Sequence, residues 1–208
     1  SIAGRTGISQ ADLEEEEQTT FLNYINFKVG NSNLQIATTR PELIPACVAL
    51  LCHPEDERYQ NLIGKKAITA LFNVKVPIIA DDLVEMEKGT GLVMCCTFGD
   101  VTDIEWQKKH NLQIRSILNK KGLIKDFSNK ESDDYDKNLV DDLNKYCDFT
   151  NYQEQFNIIK NQHVTKAKNL MIDAVKAEGR LVKQTPVKQV VKCAERSGKP
   201  IEILVTPQ

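Results

Sequence analysis

The apolar residues of this 208-residue chain come in short runs, each ended by turn-forming residues. Residues 21–29 (FLNYINFKV) alternate apolar and polar, and Gly30-Asn31-Ser32-Asn33 has turn chemistry before a second run at 34–39. Such alternation suits half-buried strands joined by a hairpin. Residues 47–52 (CVALLC) are continuously apolar, as in a strand buried on both faces. Further strands are expected at 67–72, 74–80 and 92–96, at 187–192, and at 201–205 behind a 197–200 turn. A short extended piece is expected at Leu181-Val182. Helical patterning is clearest at 100–110 and 164–176, the second ended by Gly179, and residues 53–58 read as a turn into a short helix. Residues 112–118 and 122–127 read as a hairpin around Asn119-Lys120-Lys121. Many short strands with two or three helices do not make a regular βαβ alternation. The reading is therefore a mixed, barrel-like α+β fold.

Composition narrows the function classes. Lysine plus arginine number 27 against 29 acidic residues, a net charge of −2, and 41% of residues are hydrophobic. That excludes a wholly disordered chain and a globally basic nucleic-acid clamp. No apolar run is long enough to span a membrane, and the first residues lack a secretory layout. The expectation is a cytoplasmic monomer. Six cysteines, at 47, 52, 95, 96, 147 and 193, form no CxxC pair, so reduced thiols are expected rather than disulfides or structural zinc. The acidic run 12–17 reads as a solvated lead-in, and the polar stretch 128–150 as an exposed insertion with weak helical content.

Three clusters could carry chemistry. Thr38, Thr39 and Arg40 leave a strand just before Pro41 and Glu42. Hydroxyls and a planar guanidinium there could bind hydroxyl, phosphate or carbonyl oxygens, or simply cap the turn. Asp100 and Asp103 lie three apart at the start of a helix. They could hold an ammonium group or act as a base, or merely favour the helix dipole. Cys95 or Cys96 with His53 or His110 would make a nucleophile–base pair, though buried structural thiols fit the apolar run better.

Four segments, IATTRPE, HPEDERYQNLIGK, EKGTGLVMCCTFGDVTDIEW and CAERSGKPIEILVTPQ, together resemble the inserted editing domain (connective peptide) of valyl-tRNA synthetases, which are class I enzymes. The likeness spans nearly the whole chain in order. The second segment separates it from isoleucyl and leucyl relatives, which stay as alternatives. Met94, Cys96 and Thr97-Phe98-Gly99 depart from the bacterial pattern GTGAVKxTPAHDxxD and resemble an archaeal-type branch.

The resemblance implies one editing domain over 1–208, with 1–20 and 200–208 leading to a catalytic core elsewhere. It implies hydrolysis of threonyl-tRNA(Val). Threonine is nearly isosteric with valine, and a hydrophobic synthetic pocket rejects such an isostere only ~10²-fold, a figure established for this very class of synthetase. By resemblance, Asp103 binds the substrate ammonium and Asp100 supports it. Thr38, Thr39, Arg40 and Glu42, with Cys96, Thr97 and Phe98, line the pocket. Thr39, Asp100 and Asp103 form the catalytic set. No metal or cofactor is implied, since ATP and Mg belong to the synthetic part. The implied partners are the 3′ end of tRNA(Val) and the remaining synthetase. Lys65-Lys66, Lys120-Lys121 and the 166–183 region are candidate RNA contacts. A non-catalytic tRNA-docking module and an unrelated cysteine hydrolase are the competing readings.

Overall fold

The structure, a computed structural model, describes residues 13–96 and 101–194. The strands are β1 (Leu13–Val29), β2 (Ser32–Thr38), β3 (Cys47–Cys52), β4 (Lys66–Ile68), β5 (Lys75–Ala80), β6 (Val93–Cys96) and β7 (Leu181–Ala194). Among the described residues four α-helices join them: α1 (Val101–Lys109), α2 (Lys137–Tyr146), α3 (Phe149–Phe156) and α4 (Val164–Ala177). The sheet runs β2-β1-β4-β5-β3-β6, with β7 paired to β1. Only β3 and β5 pair in parallel among the described residues. Strands β2 and β6, at the two ends of the order, approach each other, so the sheet curls into a half-barrel. The mixed α+β expectation holds.

The hairpin forms as read. Val29 pairs with Ser32 around a Gly30-Asn31 turn, where Gly30 adopts φ +58 without a Cβ penalty. β1 is longer than expected. Its first half, which takes in Glu14–Glu17, pairs with β7 from Leu13↔Ala194 inward, so residues 13–17 are strand and not a lead-in. β7 is likewise one strand through Pro186. The missing Pro186 amide is tolerated because β1 is the only strand paired with β7 among the described residues. The 197–205 expectations lie outside the described residues.

β3 is buried at every position, as its apolar run requires. The pair at 67–80 is shorter than read, because residues 69–74 form a tight loop. There Thr69 Oγ1 accepts from the Val74 amide at 3.0 Å, and Leu71 and Asn73 take φ +65 and +52. Of the expected 112–127 hairpin, one bridge forms, Leu118↔Ile124. It closes over Asn119, whose Oδ1 accepts from the amides of Lys121 and Leu123.

Residues 128–150 correct the expectation of an exposed insertion. Asp136 caps α2 through the Leu139 amide, and Asp148 caps α3 through the Thr150 and Asn151 amides. The apolar residues Leu139 and Leu143, four apart, share one face, and both are buried in the main core. Tyr152 and Phe156 of α3 join them, and Phe127 packs edge-on to Phe156 at 5.0 Å. These contacts fix α3 behind residues 41–46. Tyr152 Oη donates to the Pro45 carbonyl at 2.8 Å in a fully buried setting. Tyr152→Phe is expected to lower stability by about 1 kcal/mol, because it strands that carbonyl while keeping the ring. Urea unfolding of the two proteins checks this, and equal midpoints would contradict it.

A smaller cluster lies on the other side of the sheet, where Val48, Ala49 and Leu51 meet Cys95 and Trp106 of α1. It sets the position of α1. No helix among the described residues is long and apolar enough to cross a membrane.

Candidate editing site

The first cluster sits where β2 gives way to a 3-10 helix, Pro41–Ala46. Proline at the first helical position lacks an amide that would be unpaired there anyway. Thr38 Oγ1 accepts from the Arg40 amide at 3.0 Å, which closes the turn. Asn23, on the neighbouring strand, braces it. Its Nδ2 donates to the Thr38 carbonyl at 3.1 Å, and its Oδ1 accepts from Gln184 Nε2 at 2.7 Å. Thr39 and Arg40 are half-buried, and Glu42 is 2% exposed.

Arg40 Nε lies 3.5 Å from Glu42 Oε2, a loose pair. Arg40 Nη1 and Glu42 Oε1 are both buried with no hydrogen-bond partner among the described residues. Buried polar atoms are seldom left unpaired, so these two are suited to meeting a substrate's oxygens and protons. Burial pushes the Glu42 carboxyl above its ordinary range, opposed by Lys168 and Arg40.

The second cluster reaches this turn through β6. Cys96 pairs with Cys47, and its Sγ donates to the Leu43 carbonyl at 3.4 Å. Asp103, in the first turn of α1, is 6% exposed and close enough to Cys96 for its charge to disfavour the thiolate. Cys96 thus touches the Pro41–Ala46 helix at Leu43 and feels the charge of Asp103. Thr97, Phe98 and Asp100 lie outside the described residues. Met94, which stands where the bacterial pattern has lysine, is buried in the main core and brings no charge.

The thiol–imidazole pair does not form. His53 Nδ1 accepts from the Glu55 amide, and His110 Nε2 lies 2.7 Å from Asp81 Oδ2. Cys95 and Cys96 are 0% and 2% exposed, and burial pushes the Cys96 thiol well up. A buried neutral thiol is a poor nucleophile.

The remaining motif residues hold the frame. In HPEDERY, Arg58 grips Asp56 with two hydrogen bonds, at 2.9 and 2.7 Å, and also reaches the Met86 carbonyl at 2.8 Å. Tyr59 Oη donates to the Thr90 carbonyl. This clamp seats the 89–91 loop. A Cβ at Gly91 would come within 2.6 Å of Arg58 Nη2, and one at Gly89 within 2.9 Å of the Ala37 Cβ. The loop thus lies against the end of β2, beside Thr38.

Asp81 anchors the far end of α1. Its side chain is fully buried, 2.7 Å from His110 Nε2 and 3.1 Å from Lys109 Nζ, and it accepts from the Leu83 amide at 2.9 Å. Burial opposes its ionisation, but these donors outweigh that and lower its carboxyl from 3.8 to about 2. A depressed carboxyl stabilises the fold above its unfolded value and loses that contribution as pH falls through its folded value. Stability from Asp81 should therefore decline between pH about 4 and about 2. Glu42, shifted upward, acts in the opposite sense, favouring the fold as it gains a proton. Urea midpoints from pH 5 to 2 check this: Asp81→Asn should flatten the acid limb, and an unchanged limb would contradict the assignment.

Sequence reasoning missed Asn23, Gln184 and Arg115. Arg115 is 1% exposed. It donates to the Cys47 carbonyl at 2.7 Å and to Asp142 Oδ2 at 2.8 Å, so it ties α2 to the start of β3. Its neighbours in the sequence give no hint of this, because both of these partners are remote in the chain.

A curled half-barrel with a few helices around it is the fold of the editing domains of class I aminoacyl-tRNA synthetases. Residues 53–164 match the family model described as leucyl-tRNA synthetase, editing domain, and the chain belongs to that family. It is 48% identical over 204 residues to the valine–tRNA ligase of Rickettsia conorii, 98% of this chain and 22% of that protein. It is 47% identical to the valine–tRNA ligase of Rickettsia prowazekii over the same shares. The chain thus spans about a fifth of these relatives. A crystal structure of the Agrobacterium radiobacter K84 agnB2 leucyl-tRNA synthetase, in ternary complex with tRNA and LeuAMS, superposes with a TM-score of 0.51 at 13% identity. The match covers 83% of this chain and 20% of that one. At that identity it speaks for the fold alone.

Proposed function

We propose that this chain clears threonine from mischarged tRNA(Val), as the editing part of a valine–tRNA ligase. The observation that carries the reading is the pair of buried, unpartnered polar atoms at the Thr38–Glu42 turn, Arg40 Nη1 and Glu42 Oε1, with Cys96 against Leu43 and within the field of the buried Asp103. The likeness to valine–tRNA ligases over 98% of the chain supports the choice of amino acid.

In this reading Asp103 holds the α-ammonium of the threonyl group, with Asp100 in support. Arg40 and the hydroxyls of Thr38 and Thr39 take oxygens of the terminal ribose and the ester. Water attacks the ester carbonyl, and donors facing the developing oxyanion stabilise the tetrahedral intermediate. The bond to the ribose oxygen then breaks, and that oxygen takes a proton. No cofactor takes part, and no covalent protein adduct forms.

The test is hydrolysis in ¹⁸O-labelled water with threonyl-tRNA(Val) and the chain, with and without thiol alkylation. The reading expects label in the carboxyl group of the released threonine and no threonyl-protein adduct. A trapped thioester, or activity abolished by an alkylating agent that leaves the Cys96 side of the site open, would overturn it.

A further inference from the structure

Register puts three lysines on one face of the sheet. Directly opposed residues share a face, and Lys28 pairs with Ile68, which in turn pairs with Lys75. Lys66 stands two residues from Ile68 on the same side, while Ala67 and Val76 between them are buried. Strands lie ~4.8 Å apart, so Lys28 and Lys75 are about 10 Å apart, beyond the ~8 Å Debye length at physiological salt, and each is free to meet its own phosphate. Lys65 and Lys66 line an open cavity of about 540 Å³ beside this face, with Tyr59 and Asn33 also in its wall. None of these lysines makes an ion pair among the described residues. Residues 23–29 of β1, and all of β2, β4 and β5, contain no aspartate or glutamate. In a chain of net charge −2, this face is a local exception.

We infer that the outer face of β2-β1-β4-β5, with the cavity at its edge, binds the phosphodiester backbone of the tRNA whose 3′ end enters the editing site. This rests on the function proposed above. A carboxylate-free row of lysines complements a polyanion and carries no base-reading geometry. Distance supports the occupant. Asn33, opposite Lys28, is five residues from Thr38 along β2, about 17 Å. Stacked nucleotides advance ~3.4 Å each, so phosphates held here lie about five nucleotides from the reacting ester.

The experiment compares the chain with Lys28→Gln/Lys66→Gln/Lys75→Gln, and with a control, Lys130→Gln/Lys145→Gln, two exposed lysines outside every candidate RNA contact. A tRNA(Val) transcript is titrated from 50 to 200 mM salt, and threonyl-tRNA(Val) deacylation is measured in parallel. The triple variant should bind the transcript at least about tenfold more weakly. Its log–log salt slope should fall by about 2, at ~0.7 for each phosphate of a single strand no longer neutralised. Its deacylation KM should rise with kcat unchanged, and the control should match wild type. Thermal unfolding of the triple variant should be unaltered. An unchanged slope and KM in the triple variant, or a loss confined to the control, would overturn the inference. So would binding of an acidic polypeptide at this face in place of tRNA. If wild type binds the transcript through these lysines but hydrolyses no ester, the proposed function fails and the binding face stands. If it hydrolyses the ester and the triple variant keeps its KM, the reverse holds.

Discussion

Asp103→Ala should lower kcat/KM for threonyl-tRNA(Val) by about a thousandfold. Asp103 is nearly fully buried, so its contact with an ammonium group is poorly screened. Two charge-assisted hydrogen bonds at roughly 2 kcal/mol each amount to about 4 kcal/mol, and each ~1.4 kcal/mol is tenfold in rate. Asp103→Asn keeps the volume and one acceptor but loses the charge, so about a hundredfold loss is expected. Both variants should retain the circular dichroism of the parent. An alanine variant that is folded and within about threefold of wild type would remove Asp103 from the site.

Arg115→Met should cost about 3 kcal/mol of stability. The guanidinium is 1% exposed, donates to the Cys47 carbonyl and Asp142, and lies 5.7 Å from the centre of the Tyr146 ring. Methionine fills much of the volume but leaves a buried carbonyl without its donor and a partly buried carboxylate without its cation. For a chain of this size that is a fall in Tm of about 6–12 °C. Adding Asp142→Asn should restore part of the loss, since the second partner is then neutral. Thermal unfolding of the two variants checks both statements. A Tm for Arg115→Met within a degree or two of wild type would show that the arginine does not tie α2 to β3.

Local pattern made some elements legible and hid others. The run at 47–52 could be read because a strand buried on both faces needs apolar residues throughout. α4 could be read because its buried positions, Val164, Ala167, Met171 and Val175, follow the helical period, with His163 capping one end and Gly179 closing the other. α2 and α3 were obscured by the charged residues around Leu139, Leu143, Tyr152 and Phe156, although the caps Asp136 and Asp148 were visible signals. The loop at 69–74 could not be anticipated, since leucine rarely takes a positive φ. At the candidate site, the Thr38–Glu42 turn and Asp103 stood out as local polar clusters, and the resemblance then gave them roles. Asn23 was not, because its importance comes from meeting Thr38 and Gln184 across two strand pairings.

The central claim is selective removal of threonine, and side-by-side deacylation of threonyl-tRNA(Val) and valyl-tRNA(Val) by the chain tests it most directly. A site that hydrogen-bonds a substrate hydroxyl can reject an analogue lacking it by up to 10⁴–10⁵. We expect the threonyl ester to be hydrolysed at least about a hundredfold faster than the valyl ester. Equal rates for the two esters, or no hydrolysis above the spontaneous rate by the full ligase that carries this domain, would contradict the account.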